Sequence, residues 1–307
     1  MGEDCLTLGL ISDIHTTGKG KSRRLLAQAF DALREEQVDL VLSAGDNVNG
    51  CQKEEFEVLE TSLNNHLAGI PLFAAAGNHD YFSNHPQDVP QPEAREAFFE
   101  TMLSQPFETT YFQNGNYVLN FQSHQIIFLD CIQNSKKFCF DEQTEQWLEA
   151  QLSQSEGEGW RIVVNHLPLG NHVLGTPKQK VFMAGDARLQ DMLNRHSRVL
   201  YVAGHTHNRI DSVYPSAEQD AHGNIYLNAG SVGNTQPCLY DVKQYKALRN
   251  SLPHDSEEYR NINRYFKMGS MGLLVRLAND AVHVDGYDFE RGAYIDRAHF
   301  IFRFKDN

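Results

Sequence analysis

Short apolar runs alternating with helically spaced segments organise the first third of this chain. Residues 5–12 (CLTLGLIS) form an apolar run closed by polar residues, which predicts a buried strand. Residues 22–37 then place Leu25, Leu26, Ala29, Phe30 and Leu33 at helical spacing, with Ser22 as the expected N-cap. Residues 38–44 (VDLVLSA) predict a second strand stopping at Gly45-Asp46, and a helix is expected around 53–67. Residues 71–76 (PLFAAA) predict a third strand, which stops at Gly77-Asn78-His79-Asp80. This β-α-β-α-β rhythm implies a parallel sheet buried on both faces.

The pattern then changes. Residues 111–130 alternate and carry Asn114-Gly115, a hairpin signal, with a second turn near 122–124. Residues 141–155 predict an amphipathic helix with Trp147, Leu148 and Leu152 on one side, and 187–196 a further helix. Residues 161–165 (RIVVN) and 199–203 (VLYVA) read as strands, ending at His166 and at Gly204-His205-Thr206-His207. Residues 225–228, 271–277, 282–288 and 298–303 predict strands of a second, more antiparallel sheet. Between 231 and 271 lies a polar stretch, either a helical insertion or a long loop. There is no internal repeat, low-complexity segment or evident interdomain linker, so residues 1–307 read as one domain.

Composition narrows the function. Of 307 residues, 41 % are apolar, enough for a sizeable core, and the formal net charge is −13. Such a balance argues against broad electrostatic binding to nucleic acid or to an anionic membrane. Five cysteines without a C-x-x-C pair predict neither a disulfide framework nor a thiolate zinc site, so a reducing, cytoplasmic setting is expected. The N-terminus lacks the basic and apolar regions of a signal peptide, and no apolar run approaches the ~20 residues of a membrane helix. Nothing in the chain sets an oligomeric state. Fourteen histidines stand out, because imidazole is the commonest metal ligand and acid/base group.

Five of those histidines sit just past strand ends, as do Asp13, Asp46 and Asp80. Asp13-Ile14-His15, Gly45-Asp46, Asn78-His79-Asp80, His166 and His205-Thr206-His207 each follow an apolar strand at its carboxyl end, the edge where open α/β sheets bind ligands. All five segments are expected at one edge of one sheet. Residues two apart in extended chain point the same way, so Asp13 with His15, and His205 with His207, are expected to converge. Oxygen and nitrogen donors without sulfur suit Mn, Fe, Zn, Co or Ni and not a structural zinc site. Seven ligand candidates are too many for one tetrahedral ion but suit two divalent ions, with Asp46 as the natural bridge. Two such ions would acidify a bridging water and clamp the oxygens of an in-line displacement at phosphorus. Each tripeptide alone is weak evidence; the ordered set is not.

That ordered set, D-x-H, G-D, G-N-H-D, a strand-end His and G-H-x-H, resembles the calcineurin-like metallophosphoesterases over roughly residues 5–235. Asn228-Ala229-Gly230-Ser231-Val232-Gly233 also looks like the N-P-G-S-V-type turn of many members, with Ala229 in place of Pro. The resemblance implies an α/β fold of two mixed β-sheets packed as a sandwich and flanked by helices. It implies that Asp13, His15, Asp46 and His207 bind one metal, and that Asp46, Asn78, His166 and His205 bind the other. His79 would stabilise the transition state or protonate the leaving oxygen, with Asp80 holding its imidazole. Asn49 departs from the pattern: many members carry Asp there, and purple acid phosphatases a metal-binding Tyr. Residues 236–270 fall outside the family core and read as a cap-like insertion over the site or as a peripheral one.

The implied activity is hydrolysis of a small phosphate mono- or diester by a metal-bridging hydroxide, a cyclic-nucleotide phosphodiesterase being one version. The alternative is an idle scaffold of the same fold, which would be expected to lack His79 or a ligand; this chain keeps them all. Two divalent ions would outweigh the charges of Asp13, Asp46 and a hydroxide, so a small anionic ester can enter despite the acidic exterior. Among other residues, Arg209 is a candidate phosphate clamp or ion-pair partner. Tyr81 and Phe82 are candidate pocket walls, and Phe98-Phe99 are expected in a helix core. His85 and His172 follow site loops.

Overall fold

The computed structural model describes residues 5–83, 87–113, 115–130, 132–134, 137–138, 141–154, 159–170, 172–173, 186–212, 215–233, 235, 246–260 and 269–304. Along the chain run β1 (Leu6–Ile11), α1 (Gly20–Glu35), β2 (Leu40–Ser43), α2 (Lys53–His66), β3 (Leu72–Ala74) and α3 (Pro92–Leu103). Next come β4 (Glu108–Tyr111), β5 (Tyr117–Phe121), β6 (His124–Leu129), the short pair β7 (Ile132–Asn134) and β8 (Lys137–Phe138), and α4 (Glu142–Gln154). They are followed by β9 (Arg161–Asn165), α5 (Asp186–Leu193), β10 (Val199–Ala203), β11 (Ala217–Gln219) and β12 (Ile225–Asn228). The chain closes with β13 (Met271–Leu277), β14 (Ala281–Asp288) and β15 (Ala293–Arg303).

Among the described residues these strands form two large mixed sheets, ordered β15-β14-β13-β1-β2-β3 and β11-β12-β10-β9-β6-β5-β4. In the first, β1, β2 and β3 are parallel, while β13 runs antiparallel to β1. In the second, β6, β9, β10 and β12 are parallel. The mixed sandwich implied by the resemblance is therefore present. Its strand allocation differs from the expected one, since β12 lies parallel to β10 in one sheet, whereas β13 to β15 extend the other. Apolar content marks a strand as buried but does not say which neighbour it pairs with.

Period-two alternation explains the layering. In β6, Ile126 and Phe128 face a core shared with Leu8 and Leu10 of β1, whereas Ile127 and Leu129 face a second core with Leu148 and Leu152 of α4. Leu200 and Val202 of β10 follow the first rule, and Val199 and Tyr201 the second. Each such Leu, Ile or Phe stabilises the fold by roughly 1.5–3 kcal/mol on burial. The other face of the first sheet is covered by α1, through Leu26, Phe30 and Leu33.

Local signals were partly overridden. Ser22 lies inside the first turn of α1 and does not cap it; its hydroxyl donates to the Lys19 carbonyl at 3.1 Å and accepts from the Thr17 N–H. The Phe98-Phe99 pair lies in α3, where Phe98 is buried against Phe56 at 5.2 Å between ring centroids. Within 236–270, residues 246–251 and 257–260 are helical, and the rest of the cap expectation lies largely outside the described residues. No helix among them is long and apolar enough to cross a membrane.

Candidate metal centre

The loops leaving β1, β2 and β3 of one sheet and β9 and β10 of the other meet at a common rim. The expectation of one edge of a single sheet is thus corrected: the site straddles both. The segments are joined there by backbone hydrogen bonds, Asp13 N–H to Gly45 O at 2.9 Å, His15 N–H to Asp46 O at 3.0 Å, and Gly204 N–H to His166 O at 3.1 Å.

Convergence of the side chains is achieved differently from the extended-strand expectation. Asp13, His15, Asp46, His205 and His207 all have positive φ, at +48°, +47°, +52°, +67° and +53°. Non-glycine residues adopt this left-handed region only when their surroundings over-determine it, and such strain gathers at functional sites. Residues 13 and 15, and again 205 and 207, alternate into it beyond the strand ends; Asp13 and His15 meet in one group, whereas His205 and His207, expected to converge, divide between two. Close approach also demands glycine: a Cβ at Gly77 would lie 2.2 Å from both N and Oδ1 of Asp46.

One group gathers Asp13, His15, Asp46 and His207, and another Asp46, His166 and His205, with one ligand atom from each within 4.8 Å of the others. Nε2 of His207 lies 3.1 Å from Oδ1 of Asp13 and 3.1 Å from Nε2 of His15. Nε2 of His166 lies 3.0 Å from Nδ1 of His205. Asp46 belongs to both groups: its Oδ2 is 3.7 Å from His15 Nε2 and 3.3 Å from His166 Nε2. The remaining carboxylate oxygens are held by backbone, His79 N–H donating to Asp46 Oδ1 at 2.8 Å and His205 N–H to Asp13 Oδ2 at 2.9 Å. Each aspartate therefore keeps one oxygen for the cluster.

Asn78, the seventh ligand candidate, starts the single-turn helix Asn78–Asp80 after β3, and its Oδ1 is buried without a hydrogen-bond partner. An orphaned buried acceptor costs about 1–3 kcal/mol, a cost that a cation at this place would offset. The His166 ring is oriented by Nδ1, which donates to the Ala44 carbonyl at 2.8 Å and leaves Nε2 as the inward atom. The residues present fit a pair of divalent cations.

Electrostatics point the same way. Burial pushes the imidazoles of His15 and His205 down to about 4, so both are neutral at pH 7. Burial would raise Asp13, but the adjacent His207 prevails and lowers it to about 2. Burial would likewise raise Asp46, but His166 prevails and holds it far below the ordinary carboxylate range. In the metal-free chain His166 is raised to about 9, because the carboxylates of Asp46 and Asp13 outweigh its burial.

His79 faces the same rim, its ring edge-on to His15 with centroids 4.6 Å apart. The expectation for its partner is corrected. Nδ1 of His79 donates to the Asn49 carbonyl at 2.8 Å, and Asp80 does not hold the ring. The Asp80 carboxylate instead accepts from Gly77 N–H at 2.8 Å, Asn47 Nδ2 at 2.9 Å and Val48 N–H at 3.0 Å, tying the β3 loop to the β2 loop. Burial and the charge of Asp46 raise Asp80 to about 6.

Asn47 and the Asn49 carbonyl escaped the sequence reading, since one has no motif and the other acts through backbone. The 228–233 turn was noticed, and it braces the centre: Ser231 Oγ donates to Asp13 O at 3.0 Å, and Gly233 N–H to the same oxygen at 2.9 Å. Arg209 is buried and forms a two-pronged pair with Asp211, at 2.7 and 2.6 Å. His172 pairs with Glu218 and stacks on Tyr226. His85 lies outside the described residues.

The sequence model of the calcineurin-like phosphoesterase family matches residues 6–209. A glycerophosphodiester phosphodiesterase, GpdQ of Enterobacter lignolyticus, is 27 % identical over 214 residues, which is 68 % of this chain and 68 % of that protein. Among solved structures, a dimetal phosphatase from Danio rerio superposes with a TM-score of 0.64 at 15 % identity, covering 98 % of this chain and 99 % of the other. Purple acid phosphatase PPD1 from yellow lupin gives a TM-score of 0.60 at 12 % identity, covering 98 % of this chain but 54 % of the plant protein. At these identities the two structures speak for the fold alone.

Proposed function

The chain belongs to the calcineurin-like phosphoesterase family, and from that premise we propose that it is a dinuclear-metal phosphoesterase acting on small phosphate esters, diesters foremost. The observation that carries this reading is the position of Asp46, whose Oδ2 faces His15 on one side and His166 on the other while its Oδ1 is pinned by the His79 N–H. A carboxylate held this way can serve two cations at once. The resemblance to GpdQ, a phosphodiesterase by name, favours a diester over a monoester, with cyclic nucleotides among the diesters to be tried.

In this reading Asp13, His15, Asp46 and His207 hold one ion, and Asp46, Asn78, His166 and His205 the other. Two divalent ions, when bound, supply Lewis acidity toward the phosphoryl oxygens and lower the pKa of water. The chain's own part is positional. Backbone donors fix the two aspartates, the Ala44 carbonyl fixes the His166 tautomer, and the Asn49 carbonyl fixes Nδ1–H of His79. With Nδ1 engaged, Nε2 is the His79 atom that carries a proton to the departing alcohol.

The complete set of ligand candidates and His79 supports an enzyme over an idle scaffold of the same fold. The test is hydrolysis by the metal-loaded chain of 4-nitrophenyl phosphate against bis(4-nitrophenyl) phosphate, followed by glycerophosphodiesters and cyclic AMP. Turnover of the diester above the monoester is expected; turnover of neither refutes the proposal.

A further inference from the structure

Tyr81 directly follows the Asn78–Asp80 turn that carries His79, and its hydroxyl donates to Oδ2 of Asp130, 49 residues further along the chain. Asp130 directly follows β6, and since Leu129 pairs with Asn165 in register, Asp130 and His166 are the residues that leave these two neighbouring parallel strands. The hydrogen bond therefore crosses from the loops of the first sheet to the rim of the second, next to the candidate ligands.

The receiving end is built for this contact. The Asp130 N–H donates to Oδ1 of Asn116 at 2.9 Å, and Asn116 Nδ2 donates to the Gln113 carbonyl at 2.8 Å. Gly115 has φ +81°, and a Cβ there would lie 2.7 Å from Asp130 Oδ2, so a side chain would displace the carboxylate. On the other side, the Arg95 guanidinium sits 3.9 Å from the Tyr81 ring centroid and holds the ring by a cation–π contact that does not need the hydroxyl.

His79 is tied to Asp46 through its N–H and to Asn49 through its ring, and both partners belong to the first sheet's loops. His166 and His205 belong to the second. A proton donor has to be placed relative to both halves, and a 1 Å error is enough to cost on the order of 10²-fold in rate. We propose that Tyr81 is a positioning residue, whose hydrogen bond to Asp130 locks the His79 turn against the strand beside His166 and so sets the reach of His79 to the leaving oxygen. This rests on the reading of His79 as the group that protonates the leaving alcohol.

The test compares full-length wild type, Tyr81→Phe, Asp130→Ala, the double variant and His79→Ala on an alkyl phosphodiester and on bis(4-nitrophenyl) phosphate, whose leaving group needs no acid. Tyr81→Phe and Asp130→Ala should each lower kcat for the alkyl ester roughly ten- to a hundredfold more than for the nitrophenyl ester. The double variant should lose no more than either single one. Tyr81→Phe, which keeps the ring under Arg95, should retain a Tm near wild type. In the metal-free chain, its His79 Nδ1–H resonance should broaden as the turn loosens. Equal losses on both esters alongside a fallen Tm, or an unchanged resonance with no loss on the alkyl ester, would overturn the proposal. If His79→Ala spares the alkyl ester, the acid reading itself fails, and the positioning claim is then decided by the resonance.

Discussion

Nε2 of His166 lies 3.3 Å from Oδ2 of Asp46, a fully buried imidazole against a fully buried carboxylate. Without metal, a proton sits where a cation would otherwise be. Burial lowers the His166 pKa, but Asp46 and Asp13 raise it from the ordinary 6.5 to about 9. A folded-state pKa above the unfolded value gives stability that is complete below pH 6.5 and is lost as the pH rises through about 9. The metal-stripped chain should therefore lose Tm across that window. Metal affinity at the Asp46, His166 and His205 group should rise over the same window, because a cation must displace this proton. Calorimetric titration in buffers of different ionisation enthalpy reads the proton release; a pH-independent affinity would contradict the account.

Replacing His79 removes a ring whose Nδ1 is already occupied by Asn49, and leaves the His79 backbone donor to Asp46 in place. His79→Ala should keep metal binding and lower kcat on an unactivated ester by ~10²–10⁴, the usual worth of a positioned acid. Elemental analysis with steady-state kinetics separates the two properties, and an unchanged kcat would remove His79 from the mechanism.

Asp80 accepts three hydrogen bonds that tie two loops together, and none from the His79 ring. Asp80→Asn turns one acceptor oxygen into a donor facing donors, a mismatch worth about 1–3 kcal/mol. A fall in Tm is expected, with the ratio of activity on alkyl and nitrophenyl esters as in wild type. A selective loss on the alkyl ester would return Asp80 to the role of ring partner.

Gly77→Ala places a methyl group 2.2 Å from N and Oδ1 of Asp46. Overpacking of this kind costs typically 1–3 kcal/mol, and here the shift falls on the shared ligand. Thermal unfolding and metal content should both decrease; retention of full metal content would show that the β3 loop is free to move away.

Much of this centre was legible in the sequence because it depends on side-chain identity at strand ends, and apolar runs such as VLSA and VLYVA announce where strands stop. Asp13, His15, Asp46 and His207 gather in one group and Asp46, His166 and His205 in another. Less legible was anything carried by backbone conformation or by pairing across the chain. The left-handed φ of Asp13 and His207 leaves no mark in a D-x-H or H-x-H spacing. The Asn49 carbonyl that orients His79 would be the same for another residue type at 49, so no side-chain motif announces it. Parallel pairing of β1 with β2 followed from the β-α-β rhythm, whereas that of β12 with β10 is set by neighbours that a single strand's composition does not name. The Tyr81–Asp130 bond joins two sheets, which no local window contains.

The central claim is tested most directly by titrating the metal-stripped chain with Mn(II) while following bis(4-nitrophenyl) phosphate hydrolysis. The account predicts activity that climbs to a plateau at two equivalents of metal per chain. A plateau at one equivalent, or no hydrolysis at any ratio, would contradict it.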